Sequence, residues 1–223
     1  MTTILKTAAG LALLAGAAWA HGDVAPQPLN TETLPEVGEE WLYENPYRDM
    51  GSKVWAEAVK IGASGYNQNC ARCHGLEGVS GGLAPDLRYL EAEEYGDEWY
   101  VERFQYGYTQ NGTTKMPAFG ELLGQKAAWA IRTYIETRPD DGSVDEHAAT
   151  LADIRDRLGA MAEQVEAGEA NAAELEADLA PDRAALVDIM GDIETASGAP
   201  FADSLAFRAA TALGGDSADI RGA

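Results

Sequence analysis

The spacing of apolar residues in the middle of the chain predicts three helices. Between Ser52 and Tyr66, apolar or small residues recur every three or four positions, which is the period of an amphipathic helix. A shorter helix is predicted over residues 98–105, and a third over residues 121–137, which Pro139 ends. No stretch alternates convincingly between apolar and polar residues, so few strands are expected. The pattern indicates an all-α protein.

Helical patterns continue after Pro139. A heptad-like apolar stripe is formed by Leu151, Ile154, Leu158, Met161 and Val165. Gly168 is expected to end this helix, and Pro181 is expected to interrupt the next apolar run and start a new helix at its first turn. A last helix is expected within residues 201–213. Two to three heptads are too few for a coiled coil, so we expect a helical hairpin that packs on itself or on the preceding domain.

Composition divides the chain into four segments. Residues 1–20 have the pattern of a signal peptide. Residues 21–50 are rich in Pro, Asn, Glu and aromatic residues with little periodicity, which predicts an extended arm laid over the domain. Residues 51–139 contain most of the aromatic residues and are predicted to form the main domain. Residues 140–223, the tail, contain no Trp, Tyr or Cys and predict an acidic, Ala-rich helical extension.

The first twenty residues are typical of a secretory signal. Lys6 supplies a positive charge, residues 8–18 form an apolar stretch too short to cross a bilayer, and residues 18–20 fit the small-x-small cleavage rule. A retained membrane anchor is the alternative. No later segment is apolar enough to span a membrane. We therefore expect a mature chain that begins at His21 and is soluble in the periplasm, without stable membrane insertion.

The chain is strongly acidic, with a formal net charge of −21. Lys6 is the only charged residue before His21, so the mature chain would carry −22, and residues 140–223 contribute 19 acidic and 5 basic residues to it. Nucleic acid and anionic membrane surfaces are therefore not expected as partners. A partner with a basic face is favoured, with electrostatic steering that weakens as salt rises. The alternative is that the acidity serves only solubility.

One short motif carries the chemistry. The two cysteines of the chain lie in Cys70-Ala71-Arg72-Cys73-His74, a C-x-x-C-H sequence of the kind that attaches c-type haem. On one helical turn the two thiols reach two vinyl groups of one macrocycle, and the histidine lies beneath the iron as its proximal ligand. A redox dithiol or half of a zinc site are the alternatives. They lack, respectively, a βαβ pattern and a second cysteine or histidine pair.

A haem that only carries electrons needs a sixth iron ligand. The candidates are His21, His147 and the methionines, among which Met116 stands out in a loop bounded by Gly112 and Pro117. Thioether ligation raises the reduction potential relative to two histidines, and it closes the iron to oxygen and peroxide. The sequence thus favours electron transfer over enzymatic catalysis, with an ordinary loop methionine as the alternative.

The segment from Gly81 to Leu87 follows the haem histidine. Its backbone can supply a carbonyl to the free imidazole N–H, a bond that fixes the orientation of the ring and tunes the metal. The alternative is a simple glycine turn.

The order of Cys70 to His74, Pro85 and Met116 resembles class I cytochromes c. The resemblance covers residues 51–139. It implies one covalent haem c on Cys70 and Cys73, His74 and Met116 as iron ligands, and Pro85 as the residue that supports the histidine.

The same family crosses its first and last helices through a small residue and an aromatic one. Gly62, Tyr66 and Tyr134 match that pattern, so the predicted first and third helices are expected to cross at these residues.

A narrower resemblance lies in residues 21–28, 40–48 and 66–78, which are similar to the PedF-type cytochromes c. These are periplasmic partners of pyrroloquinoline-quinone (PQQ) alcohol dehydrogenases. The resemblance implies a one-electron carrier that accepts electrons from such a dehydrogenase and passes them to a terminal oxidase or another cytochrome. Residues 140–223 depart from the short form of the family. Three alternatives stay open: a general oxidase donor, a peroxidase-like haem enzyme, and a haem-bearing subunit whose acidic tail scaffolds a larger redox complex.

Overall fold

A computed structural model describes residues 26–169 and 171–214 of the chain. Within these residues there are seven α-helices and one antiparallel two-stranded sheet. The helices are α1 (Ser52–Asn69), α2 (Ala71–His74), α3 (Glu94–Tyr106), α4 (Gly120–Glu136), α5 (Asp141–Glu166), α6 (Ala172–Asp192) and α7 (Leu205–Ala212), and the strands are β1 (Tyr108–Gln110) and β2 (Thr113–Met116). The all-α prediction is confirmed. The predicted signal segment lies outside the described residues.

The three predicted helices of the main domain are present, with α1 and α3 longer than expected. Helix α1 begins at the predicted Ser52 but continues past Tyr66 to Asn69, and α3 begins four residues before the predicted start. Helix α4 is broken at Gly124, which has a φ of 74° that glycine adopts without steric cost.

The prediction that Pro181 interrupts the tail is wrong. Pro181 lies inside α6, which continues from Ala172 to Asp192. A proline within a helix deprives the carbonyl four residues earlier of its partner. Here both Pro181 and Ala177 are exposed, so water can bind that carbonyl and the helix continues. The predicted break at Gly168 is present, with a φ of 71° just after α5.

The main core is built on the crossing of α1 and α4. A Cβ atom on Gly62 would lie 1.9 Å from the carbonyl oxygen of Ala130, so only glycine lets the two backbones approach this closely. The rings of Tyr66 and Tyr134 pack beside this point with centroids 5.3 Å apart. The predicted crossing is confirmed, and it fixes the end of α1, from which the functional motif follows.

Residues 26–50 lie over the main domain with little regular structure. The backbone N–H of Gln27 donates to Asn69 Oδ1 at 2.7 Å, and that of Leu42 donates to Gln125 Oε1 at 2.6 Å. A short 3-10 helix at Pro46–Arg48 places Tyr47 fully inside the core.

The tail forms a second apolar cluster that joins the first. Helices α5, α6 and α7 bury Ile154, Leu186, Ile189, Met190, Ile193, Ala202, Ala206 and Ala210 together. Phe207 packs against both clusters, and its ring meets that of Trp55 with centroids 6.0 Å apart. The backbone of Asp140 also donates to Glu194 O at 2.9 Å. The division into separate domains at residue 139 stays a prediction.

None of the helices in the described ranges has the length and apolar content needed to cross a membrane.

Candidate functional site

The C-x-x-C-H residues lie where α1 meets α2. Cys70 ends α1 by donating its backbone N–H to Tyr66 O at 2.8 Å, and it also precedes the first residue of α2. The N–H groups of Cys73 and His74 then donate to Cys70 O at 3.1 and 3.0 Å. Both thiols are free, with Cys70 partly buried and Cys73 exposed. The two cysteines and the histidine therefore share one helical turn, as the spacing predicts.

The ring of His74 is oriented by the backbone of Pro85. Its Nδ1 lies 2.9 Å from Pro85 O, and because a carbonyl only accepts, Nδ1 carries the proton and donates. Burial lowers the pKa of the imidazole, and this hydrogen bond opposes the shift. The ring is thus neutral at pH 7, with the lone pair of Nε2 available to a metal.

A closed loop fixes the carbonyl of Pro85. Within residues 80–86, the hydroxyl of Ser80 donates to Ala84 O and accepts from the N–H of Gly82 at 2.9 Å. The loop ends at Asp86, whose carboxylate binds the Arg88 guanidinium at 2.9 Å. The predicted backbone carbonyl for the imidazole is therefore present, and Pro85 supplies it.

Burial also acts on the thiol that lies deeper in the protein. It raises the pKa of Cys70 to about 12, and the neighbouring Cys73 adds to this shift. The group is therefore a protonated thiol at neutral pH, the form in which it would add to a haem vinyl group.

Met116 lies at the end of a hairpin and not in an irregular loop. The turn residues Asn111 and Gly112 have φ values of 51° and 74°, the left-handed pair that a two-residue hairpin turn requires. Met116 pairs with Tyr108, and Lys115 is the extra residue of a bulge between Tyr108 and Thr109 on the opposite strand.

The base of this hairpin is closely packed. A Cβ atom on Gly107 would lie 2.4 Å from Met116 O, and the φ of Gly107 is +69°. Met116 itself is partly buried and packs against the same core as Cys70 and Ala71. Backbone and side-chain hydrogen bonds connect Cys70, Cys73, His74 and Pro85, whereas Met116 is related to them through the core against which Cys70 also packs.

The residues present fit a covalent haem. Two free thiols, a neutral imidazole with an available Nε2 and a thioether are the donors that such a group needs. In addition, large apolar side chains are exposed within ten positions of these donors in the chain, as a broad apolar ligand requires. They are Leu76, Leu83, Tyr106, Tyr108 and Leu122.

The apolar pattern does not show the buried ion pairs around the site. Arg132 and Asp97 are fully buried and bind each other at 2.7 Å, and Arg48 binds both Asp97 and Glu136 at 2.9 and 2.8 Å. This network links residues 45–48 to α3 and α4. The residues that form these ion pairs lie 35 to 88 positions apart, so no local signal in the sequence indicates that they pair.

Comparison with known proteins gives three kinds of match. The family described as cytochrome c oxidase, cbb3-type, subunit III matches residues 57–135. Cytochrome c550 of Pseudomonas aeruginosa strain PAO1 is 51% identical over 133 residues, covering 57% of this chain and 91% of that protein.

Two quinohemoprotein alcohol dehydrogenases of Pseudomonas putida match over shorter stretches. ADH-IIG is 31% identical over 84 residues and ADH IIB is 32% identical over 95 residues. These alignments cover 38% and 42% of this chain but only 11% and 13% of the two enzymes. No solved structure matches the chain.

Proposed function

The chain belongs to the class I cytochrome c family, and on that premise we propose that it carries electrons in the periplasm from a PQQ-dependent alcohol dehydrogenase to the respiratory chain. Membership makes the protein an electron carrier with covalently bound haem c, and not an enzyme. The haem supplies a one-electron couple, while the protein sets its potential and its access to partners.

The proposed attachment uses the residues of the C-x-x-C-H turn. Cys70 and Cys73 would each form one thioether, and His74 would bind the iron through Nε2 while its Nδ1–H stays on Pro85 O at 2.9 Å. Met116 would be the other protein ligand and would keep water and peroxide from the iron. The closed loop before Asp86 and the hairpin before Met116 hold the two ligands in place, which keeps reorganisation small when the charge of the site changes.

The proposed electron donor rests on the likeness to quinohemoprotein alcohol dehydrogenases. In those two enzymes, a stretch similar to this chain is part of the same polypeptide as an alcohol dehydrogenase. A carrier with a similar haem domain on a separate chain is suited to accept electrons from a dehydrogenase that lacks one. The periplasmic location is supported by the signal-like residues 1–20.

The test is direct reduction. Oxidised protein is mixed with a PQQ-dependent alcohol dehydrogenase and its alcohol, and the haem absorbance is followed with time. We expect rapid reduction that requires both enzyme and alcohol. A rate no higher than in the mixture without alcohol, across several such dehydrogenases, would rule out this donor.

A second candidate is a general electron donor to a terminal oxidase. The match to the family described as cytochrome c oxidase, cbb3-type, subunit III favours it. This role predicts fast oxidation of the reduced protein by oxidase-containing membranes, together with slow reduction by every alcohol dehydrogenase tested.

A further inference from the structure

Two buried arginines lie beneath the segment that follows His74. We call residues 75–79 the proximal loop. A Cβ atom on Gly78 would lie 2.9 Å from Cγ of Arg88 and 3.8 Å from Cγ of Arg138, so the loop rests on both side chains. The two guanidinium-bearing side chains are only 6% and 1% exposed.

Each of these arginines joins the main domain to the tail. Arg88 binds Asp86 at 2.9 Å and Asp141, the first residue of α5, at 2.7 Å. Arg138 binds Glu77 in the proximal loop, and its other nitrogen binds Asp203 of the tail at 2.5 Å. The tail is thus tied twice to the residues around His74.

The proximal loop has a backbone that needs such support. Gly75 has a φ of +80°, and a Cβ atom there would lie 1.8 Å from Val79 O. Glu77 has a φ of 57°, which is costly for a residue other than glycine. Strained backbone of this kind persists where surrounding contacts determine it. The Tyr66 hydroxyl, which donates to Gly75 O at 2.8 Å, and the Arg138–Glu77 pair are such contacts.

Burial indicates which of the two ion pairs with the tail contributes more to stability. The side chain of Asp141 is 68% exposed, and exposed ion pairs contribute little. The side chain of Asp203 is 6% exposed, and losing one partner of a buried pair is strongly unfavourable. Asp203 is further fixed by its own N–H, which donates to Thr137 O at 2.9 Å, and by Arg208 of α7 at 2.7 Å.

We propose that the tail positions the proximal side of the haem: Asp203 orients Arg138, Arg138 holds Glu77 and the proximal loop, and the loop keeps His74 and its surroundings in the geometry that sets the reduction potential. Arg138 and Asp203 are positioning residues, since neither is a ligand. The proposal rests on the assignment of His74 as an iron ligand. It follows from the general rule that contacts behind a metal ligand, and the access of water to the site, tune the metal.

The test compares two buried tail carboxylates in the full-length haem protein. Asp203→Asn breaks the proposed chain of contacts. Asp182→Asn is the matched control, because Asp182 is 5% exposed and binds Arg157 at 2.5 Å within the α5–α6 hairpin, and neither residue takes part in the ion pairs of Arg88 and Arg138. Amide hydrogen exchange of residues 75–79 and redox titration of the haem are measured for both variants.

We expect Asp203→Asn to speed exchange in the proximal loop and to lower the reduced-to-oxidised ratio at a fixed potential about fivefold, a coupling of ordinary size. The direction is diagnostic. Loss of a negative charge alone favours reduced haem, whereas a loosened loop admits water and favours oxidised haem. Asp182→Asn removes the same charge without breaking the contacts of Arg138, so it should leave exchange in the loop at its wild-type value and should not lower the potential.

Unchanged exchange in the loop, or a potential that stays constant or rises, would overturn the proposal. If Asp203→Asn does not fold, Glu77→Gln replaces it in the test, because Glu77 is 55% exposed and Arg138 keeps its bond to the buried Asp203 in that variant. Glu77→Gln should also speed amide exchange in the proximal loop and lower the reduction potential. Wild-type exchange or a wild-type potential in this variant would likewise overturn the proposal. Both measurements use the isolated protein, so their outcome is independent of whether an alcohol dehydrogenase reduces it.

Discussion

The ring of His74 can bind iron only through Nε2, because its Nδ1–H is donated to Pro85 O at 2.9 Å. Burial keeps this ring neutral, since it lowers the pKa of the imidazole. If Met116 is the second ligand, it would add a neutral thioether from the hairpin. Two neutral protein ligands would add no negative charge to the iron, and a thioether favours the reduced metal, so this pair would raise the potential of the carrier.

Replacing Met116 with alanine should therefore open the site. We expect Met116→Ala to lose the sulfur-to-iron charge-transfer band, to lower the reduction potential and to admit external ligands such as cyanide. Absorption spectra and redox titration measure these changes. Met161→Ala, a change of the same size at a partly buried position on α5, is the control and should alter neither. Survival of the band and the potential in Met116→Ala would show that another residue is the sixth ligand.

The buried carboxylate of Asp203 predicts an acid-sensitive tail. Burial alone raises the pKa of this group, but hydrogen bonds from Arg208 and the charge of Arg138 outweigh it, so the pKa lies below its usual value. A depressed pKa contributes stability that is complete above the unfolded value, about 3.9, and that is lost as the pH falls through the folded one.

We therefore expect the unfolding free energy to fall below about pH 4. In Asp203→Asn this part of the pH dependence should be absent, and the variant should be less stable at neutral pH by about 3 kcal/mol, since the buried Arg138 loses the buried one of its two carboxylate partners. Denaturant unfolding between pH 7 and pH 3 measures both effects. A wild-type pH profile in the variant would assign the acid sensitivity to other carboxylates.

At the scale of elements, the crossing of α1 and α4 decides where the C-x-x-C-H turn lies. Helix α1 ends at Asn69, so any shift of α1 against α4 moves Cys70 and the turn after it. A Cβ atom on Gly62 would lie only 1.9 Å from Ala130 O, so no side chain fits at this position without movement of the backbone.

Gly62→Ala should destabilise the protein by about 3 kcal/mol, because overpacking at a helix crossing forces the backbones apart. Gly159→Ala is the matched control in α5, where a Cβ atom meets nothing within 4 Å. It should stabilise by about 0.5–1 kcal/mol, since alanine restricts the unfolded chain and favours helix. Thermal unfolding measures both. Equal stabilities of the two variants would mean that α1 and α4 move apart at Gly62 without loss of unfolding free energy.

Most of the helices could be predicted because they bury one face, which leaves a period of three to four residues in the sequence, although α4 is buried on every side from Ala127 to Glu136. The hairpin before Met116 could not be predicted this way, because most of its residues are exposed on both faces and show no alternation. Asn111-Gly112 was the available signal, since this dipeptide is typical of two-residue hairpin turns. The ion pairs of Arg138 with Glu77 and Asp203 span 61 and 65 positions of the chain, and no local pattern in the sequence indicates contacts over such separations.

At the scale of the whole molecule, most of the acidic charge lies in the tail. In the mature form expected from residue 21, residues 140–223 account for −14 of the −22 formal charges. Between Arg157 and Arg183 the chain contains no basic residue, so the last turns of α5 and the first half of α6 carry only acidic charges. Such a region attracts a basic partner over distances that salt screening shortens.

A chain shortened to residues 21–138 tests whether the tail is separable, and we expect it to fold, attach haem and keep its His/Met spectrum. Removing the tail should expose Arg138 to water at the same time as it removes Asp203, so the guanidinium would be solvated, whereas in Asp203→Asn it stays buried with one carboxylate partner fewer. The shortened chain should lose stability mainly because Trp55 loses its ring contact with Phe207.

The formal charge of the shortened chain would be about one third of that of the mature chain, −8 against −22. If charge steers the protein to a basic face of the dehydrogenase, the rate of haem reduction should fall less steeply with salt for the shortened chain, because fewer charges attract the partner. Stopped-flow reduction over a series of salt concentrations measures both slopes. Equal slopes would mean that the tail lies away from the docking face, and loss of haem or unfolding on truncation would make the tail part of the core and the boundary at residue 139 incorrect.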